Sequence, residues 1–167
     1  MGCWDLEQYR DAFARSNIPE SEQGRWSGVV DRTLNESGAD PAAIPYLELS
    51  LVDVFDRPDG MSSATKYLMI VFPSVGIFLV REKGLFKKDK LDINALYFDE
   101  MPGLVFAATH REQNTGWGWY HVHAVRNGQP VFTLGWPWSL TGRDPALQPA
   151  AAEAERDRVL RGLQGTS

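Results

Sequence analysis

Residues 117–138, WGWYHVHAVRNGQPVFTLGWPW, contain the clearest hairpin signal in the chain. A type I′ turn needs positive φ at both of its central residues, and Asn127-Gly128 is a dipeptide that readily supplies it. We therefore predict two antiparallel strands, 117–126 and 131–138, joined at this turn. Pairing across the turn in simple register predicts an aromatic cluster between the strands, made of Trp117, Trp119, Trp136 and Trp138.

The chain before this hairpin also follows the two-residue period of β-strands. No helical pattern separates the strand-like segments, so a parallel β-α-β architecture is excluded and antiparallel pairing is expected. Alternating or continuous apolar residues bounded by turn residues predict further strands near 47–51, 65–72, 75–81, 88–94 and 104–109.

Helical periodicity is confined to the two ends of the chain. Apolar residues spaced as on one helix face predict two helices before the strands and one amphipathic helix over 152–163. We therefore predict an α+β fold, mainly antiparallel β. It is a seven-stranded barrel or sandwich with two N-terminal helices and a C-terminal capping helix. Residues 1–40 are expected to form a helical extension, and residues 41–167 the β domain.

The composition bounds the classes of function. The 167 residues carry a formal net charge of −5, which argues against a nucleic-acid binder that relies on neutralising phosphates. Cys3 is the single cysteine, so an internal disulfide is excluded and a reducing compartment is favoured. No apolar run approaches the ~20 residues needed to span a bilayer. We therefore expect a cytoplasmic protein.

Residues 76–88, GIFLVREKGLFKK, carry a resemblance to a known family. An apolar strand that starts at a glycine ends in basic residues, a Gly-Leu turn follows, and a basic pair opens the next strand. This pattern, with seven strands and a terminal amphipathic helix, resembles the bacterial pleckstrin-homology-like (PH-like) domain family. The resemblance begins at Tyr46 and implies a binding or scaffolding module, with a protein partner and homo-oligomers among the expected assemblies.

The segment 81–90 is the first candidate binding site. It holds five basic residues against two acidic ones, a net charge of +3 in an acidic chain. Lysines beside an exposed aromatic side chain suit an anionic membrane surface. Lysines on an edge strand also prevent strand-to-strand aggregation, so both interpretations stay open. The candidate residues are Arg81, Lys83, Phe86, Lys87 and Lys88.

The tryptophans of the hairpin are the second candidate site. Strand alternation sends Trp117 and Trp119 to one face and Tyr120 and Val122 to the other, with His121 and His123 on the tryptophan face. One interpretation is an aromatic platform for a protein partner. The other is packing within the chain, since contiguous exposed aromatic patches are rare on monomers.

The His121-x-His123 spacing supplies the one metal-like pattern, and it resembles the start of a cupin metal site. Arg126 and Asn127 stand where that site needs a glutamate, and no histidine follows His123, so we assign no metal ligands. No nucleophile elbow or phosphate-binding glycine loop occurs, and we assign no catalytic residue and no cofactor.

These observations predict a non-enzymatic module that binds proteins, itself included, and does not bind nucleic acid. Two alternatives remain open. The first is a small β-barrel enzyme or ligand-binding protein that uses the face of His121 and His123. The second is an adaptor that docks on anionic membranes through residues 81–90.

Overall fold

The computed structural model describes residues 6–38, 46–57, 63–73, 75–83, 90–114 and 116–164. Three helices and seven strands make up the regular structure of these ranges, with short 3₁₀ turns between some of them. In chain order they are α1 (Leu6–Arg15), α2 (Gln23–Ser37), β1 (Glu48–Phe55), β2 (Ala64–Phe72), β3 (Gly76–Lys83), β4 (Lys90–Tyr97), β5 (Leu104–Asn114), β6 (Trp117–Arg126), β7 (Gln129–Ser139) and α3 (Pro149–Leu163).

All seven strands belong to one antiparallel sheet in the order β4-β3-β2-β1-β7-β6-β5. The junction of its halves is short, because β1 pairs with β7 only through Asp53–Gly135 and Val54–Leu134. The predicted α+β class, the antiparallel strands and the C-terminal helix are confirmed. Of the predicted barrel or sandwich, the barrel is wrong, because β4 and β5 lie at opposite ends of the strand order and a barrel requires those edges to pair.

Helices cover both faces of the first half of the sheet. Leu68, Ile70 and Phe72 of β2 share a core with Phe13 and Trp26 of the N-terminal segment. The alternate residues of β2 point to the other face and pack in a second core with α3. A strand buried on both faces reads as a continuous apolar run, which explains the sequence of residues 68–72. The two N-terminal helices therefore pack on the sheet of their own chain.

Candidate functional site

A β-bulge in the β6–β7 hairpin decides which tryptophans share a face. The turn is formed as predicted, with positive φ at Asn127 and Gly128. Val125 pairs with Pro130, but Ala124 pairs with Phe132, so Val131 is an extra residue in β7. Pro130 has no N–H to give to a ladder, and prolines within sheets are confined to edges and bulges. One extra residue moves every later side chain of β7 to the opposite face.

Because of the bulge, the four tryptophans do not form the single cluster that the sequence predicts. Trp119 lies opposite Pro137, and Trp117 lies opposite Ser139, rather than opposite tryptophans. Trp136 is 1% exposed in the core beside α3, and its Nε1 donates to the Ser50 hydroxyl at 2.9 Å. Trp138 is buried in the same core. These two side chains pack within the chain and contribute nothing to an outer surface.

The other pair lies on the outer face of the sheet, which is the face that α1 and α2 cover over the first four strands. The predicted alternation along β6 is confirmed, because Val122 and Ala124 are fully buried on the α3 side. On the outer face, Trp117 and Trp119 meet edge to face with ring centroids 5.3 Å apart. Trp117 is 40% exposed.

Two residues of β1 hold Trp119 in place. Its indole Nε1 donates to Asp53 Oδ2 at 3.1 Å, and the Phe55 ring packs edge-on against it with centroids 5.3 Å apart. Phe55 also packs against His121 at 5.1 Å. Gly135 makes this approach feasible, because a Cβ there would lie 2.6 Å from a Phe55 ring carbon. Asp53 and Phe55 both lie at the short β1–β7 junction, so this junction orients the Trp119 side chain.

The two histidines on the same face differ in their surroundings: His121 is buried against Phe55, and His123 is hydrogen-bonded to two threonines. His123 Nε2 lies 2.8 Å from the Thr109 hydroxyl, and its Nδ1 lies 2.8 Å from the Thr133 hydroxyl. Both ring nitrogens therefore have a protein partner where a metal would need a lone pair. Within the part of the chain that the structure describes, no three His, Cys, Asp or Glu side chains are grouped to hold a metal ion. This arrangement lends the metal alternative no support.

The basic segment 81–90 is described at its two ends. Arg81 Nε donates to Asp92 Oδ2 at 3.2 Å, and the guanidinium lies 5.4 Å from the centre of the Tyr67 ring. Lys83 is exposed, and it lies opposite Lys90 in the register of β3 and β4. Phe86, Lys87 and Lys88 lie outside the described residues. The charge of Arg81 is thus compensated within the sheet.

The two edge strands of the sheet each have a charged and an uncharged part. The β4 edge carries Lys90 and Asp92 at its start and uncharged residues over 93–97. The β5 edge begins with six uncharged residues, 104–109, of sequence LVFAAT, and is charged at Arg111 and Glu112. Val105 is 58% exposed, and Ala107, Ala108 and Thr109 are exposed as well. We call residues 104–109 the open β5 edge; at its end the Thr109 carbonyl is occupied, because it accepts a hydrogen bond from Arg156 Nη1 at 2.9 Å.

A small cavity of about 370 Å³ adjoins the start of this edge, and we call it the corner pocket. No charged residue lines it. The lining comes from the turn before β5, from β5 itself and from the last turn of α3. No periodic signal in the sequence joins these three segments, so sequence reasoning missed the pocket. The lining residues are Phe98, Met101, Pro102, Gly103, Leu104, Val105, Phe106, Leu163 and Gln164.

A buried polar cluster fills the space where β1 separates from β7. Arg158 of α3 donates to both oxygens of Glu155 at 2.8 and 2.9 Å, to Glu48, and to the Leu49 carbonyl at 2.7 Å. Burial by itself lowers the pKa of Arg158, but the hydrogen bonds and charge of Glu155, with the charge of Glu48, raise it above the ordinary value. The hydrogen bond from Tyr46 to Glu48, followed by burial, likewise raises the pKa of Tyr46.

The helix α1 contributes to the same cluster from its C-terminal end. Arg15 donates to the Leu47 carbonyl at 3.0 Å. The Asn17 amide binds both the N–H and the carbonyl of Leu51, at 2.7 and 2.8 Å, as a neighbouring strand would. Side chains thus satisfy the β1 backbone where β7 has departed. No local sequence pattern marks Glu155 as buried, because two of its partners, Ser50 and Asn17, lie more than a hundred residues away in the chain.

A groove of about 990 Å³ borders this cluster. Part of its charged lining is paired within the chain. Arg25 contacts Glu82 at 2.7 Å, and Arg158 contacts Glu155 at 2.8 Å. The first pair connects α2 to β3, and the second connects successive turns of α3. Part of the charge that lines the groove is therefore compensated within the chain.

Comparison with known proteins adds no relative to this description. No protein-family model matches the chain, and no curated protein or solved structure matches it significantly. Among the described residues, no helix is both long and apolar enough to cross a membrane.

Proposed function

We propose that the chain is a non-enzymatic, PH-like binding module of the cytoplasm that takes an extended segment of a partner protein along the open β5 edge. The observation that carries the proposal is that the uncharged, exposed stretch 104–109 of this edge adjoins the corner pocket. An edge strand can accept an extended segment through backbone hydrogen bonds, while neighbouring pockets read its side chains. An edge without charges leaves this pairing open.

The PH-like part of the proposal is supported by the order of the elements. Seven antiparallel strands run consecutively within each half of the sheet, and one C-terminal helix packs against the second half. This is the outline that the resemblance of residues 76–88 implies. The N-terminal helices lie outside that resemblance and cover the first half of the sheet, so β5 has α3 on one face and neither N-terminal helix on the other.

The size of the exposed surface favours a short segment over a second copy of the chain. Val105 and Trp117 lie near opposite ends of the β5–β6 pair, eight residues apart along β6, or roughly 27 Å. The large apolar side chains exposed around them, with Val131 and Leu140, amount to a few hundred Å², on the order of what a monomer commonly exposes. A stable dimer buries about 800 Å² on each partner.

The experiment selects random segments of about 12 residues, displayed on phage, against the immobilised full chain, and then measures binding of synthetic segments by fluorescence anisotropy. Two matched variants place a lysine on an exposed alanine of an edge strand: Ala107→Lys on β5 and Ala95→Lys on β4. We expect micromolar binding that Ala107→Lys weakens about tenfold or more and that Ala95→Lys leaves within about twofold.

Three outcomes would overturn the proposal. The first is that no segment is enriched, and the second is that both lysine variants bind the selected segments equally. The third is that sedimentation velocity shows a stable dimer that Ala107→Lys dissociates, since the edge would then belong to a second copy of the chain.

A further inference from the structure

The corner pocket lies where a segment added to β5 would place one of its side chains. We propose that this pocket selects the partner by a single large apolar side chain, such as Leu, Met, Phe or Trp. The inference rests on the proposed function and names the chemistry of the segment. Leu104 joins the two features, because it begins the edge, lines the pocket and shares the α3 side of β5 with Phe106.

The lining sets the chemistry of the anchor. Phe98, Leu104, Phe106 and Leu163 supply an apolar wall, and no charged residue lines the cavity. A charged anchor would lose its hydration there without gaining a partner, so it is disfavoured. A small side chain such as alanine would leave most of the cavity unfilled.

The size and position of the pocket favour a side chain of a polypeptide over a free apolar molecule. Its volume, about 370 Å³, is near the lower end of the range for small-molecule sites, which start at roughly 300 Å³. The adjoining strand edge offers backbone hydrogen bonds that a polypeptide can use and a fatty acid cannot. Burying one large apolar side chain is expected to change the dissociation constant by about 10- to 150-fold.

The test uses segments selected on the full chain and a version of each with its largest apolar residue replaced by alanine. Two variants place a tryptophan on an apolar strand residue. Leu104→Trp fills the pocket from its β5 wall, and Val131→Trp adds the same side chain at the β7 bulge, outside the pocket. Circular dichroism melting of each variant verifies that it is folded before binding is measured.

We expect the alanine segments to bind the parent chain about 10- to 150-fold more weakly than the selected segments. In Leu104→Trp the selected segment loses at least about tenfold in affinity, and the difference between the two segments nearly disappears. The two losses are therefore not additive, as expected for groups that meet in one cavity. Val131→Trp keeps the full difference.

The outcomes separate this inference from the proposed function. If the alanine segments bind as well as the selected ones while Ala107→Lys still abolishes binding, the edge site stands and the anchor pocket is refuted. Decanoate binding that Leu104→Trp blocks, without any enrichment of segments, would assign the pocket to a free lipid instead. Absence of any selected segment would overturn both proposals together.

Discussion

Replacing Arg158 by leucine removes the centre of the buried polar cluster, and we expect a severe loss of stability. The side chain is largely buried and forms ion pairs with two carboxylates, Glu48 and Glu155, that are buried as well. It also supplies the donor for the Leu49 carbonyl. Leucine fills part of the volume but provides none of these donors. Two buried charges and one backbone acceptor thus lose a partner in a single substitution.

The magnitude follows from the cost of leaving buried charges without compensation. Removing one partner of a buried ion pair typically costs roughly 3–5 kcal/mol. Glu48 keeps Arg15 at 3.3 Å and Tyr46 at 2.6 Å, so the loss falls mainly on Glu155. The Ser50 hydroxyl and the Asn17 N–H remain as donors to Glu155, at 2.8 and 3.2 Å. We therefore expect about 3 kcal/mol, the lower end of that range.

Urea unfolding of the full chain at neutral pH, followed by tryptophan fluorescence, measures the change in the free energy of unfolding. The double variant Arg158→Leu, Glu155→Leu removes the abandoned carboxylate together with its partner. We expect the double variant to lose less than the sum of the two single losses. The control Arg161→Leu lies on the exposed side of α3 and is expected to stay within about 0.5 kcal/mol of the parent chain.

Two results would refute this reasoning about the cluster. One is a loss below about 1 kcal/mol for Arg158→Leu, a value typical of exposed ion pairs. The other is strict additivity in the double variant, which would show that Arg158 and Glu155 do not depend on each other.

Two further predictions concern the outer face of the second half of the sheet. Trp117 is exposed and Trp138 is buried, so iodide should quench the fluorescence of Trp117 and not that of Trp138. Trp117→Phe should therefore reduce the amount of fluorescence that iodide quenches, and Trp138→Phe should leave that amount unchanged. Equal effects of the two substitutions would contradict the bulged register. Gly135→Ala should destabilise by about 1–3 kcal/mol, because its Cβ displaces the Phe55 ring. Gly142→Ala, whose Cβ would meet its nearest atoms at an ordinary 3.5 Å, serves as the control in thermal unfolding, and equal melting temperatures for the two variants would show that Phe55 gives way freely.

Local sequence patterns were sufficient to predict the helices, the strands and the residues that share one face of β6. The Asn127-Gly128 turn depends on the φ preferences of two adjacent residues, and the structure confirms it. The alternation of Trp117, Trp119, His121 and His123 against Val122 and Ala124 follows from the strand period, and the burial of the apolar pair confirms it. Both predictions needed no knowledge of what packs against the strand.

The bulge at Val131 is a feature that local sequence patterns do not predict. Pro130 marks a place where a bulge is tolerated, but proline at this position also fits an unbulged edge strand. Whether the strand is bulged depends on which residues of β7 are buried in a core, and Trp136 and Trp138 are buried against α3. A shift of one residue moves the later side chains of the strand to the opposite face. Packing against α3 therefore determines that Trp136 and Trp138, two predicted site residues, are buried.

The sequence by itself determined the antiparallel strands, the terminal helices, the hairpin turn and the alternation along β6, because each depends on neighbours within a few residues. The tertiary structure decided the open sheet, the burial of Glu155 and the separation of the tryptophans onto two faces. It also assembled the corner pocket from Phe98, β5 and Leu163. These features arise from contacts between segments far apart in the chain, and the free energy of such contacts is settled when the elements pack together.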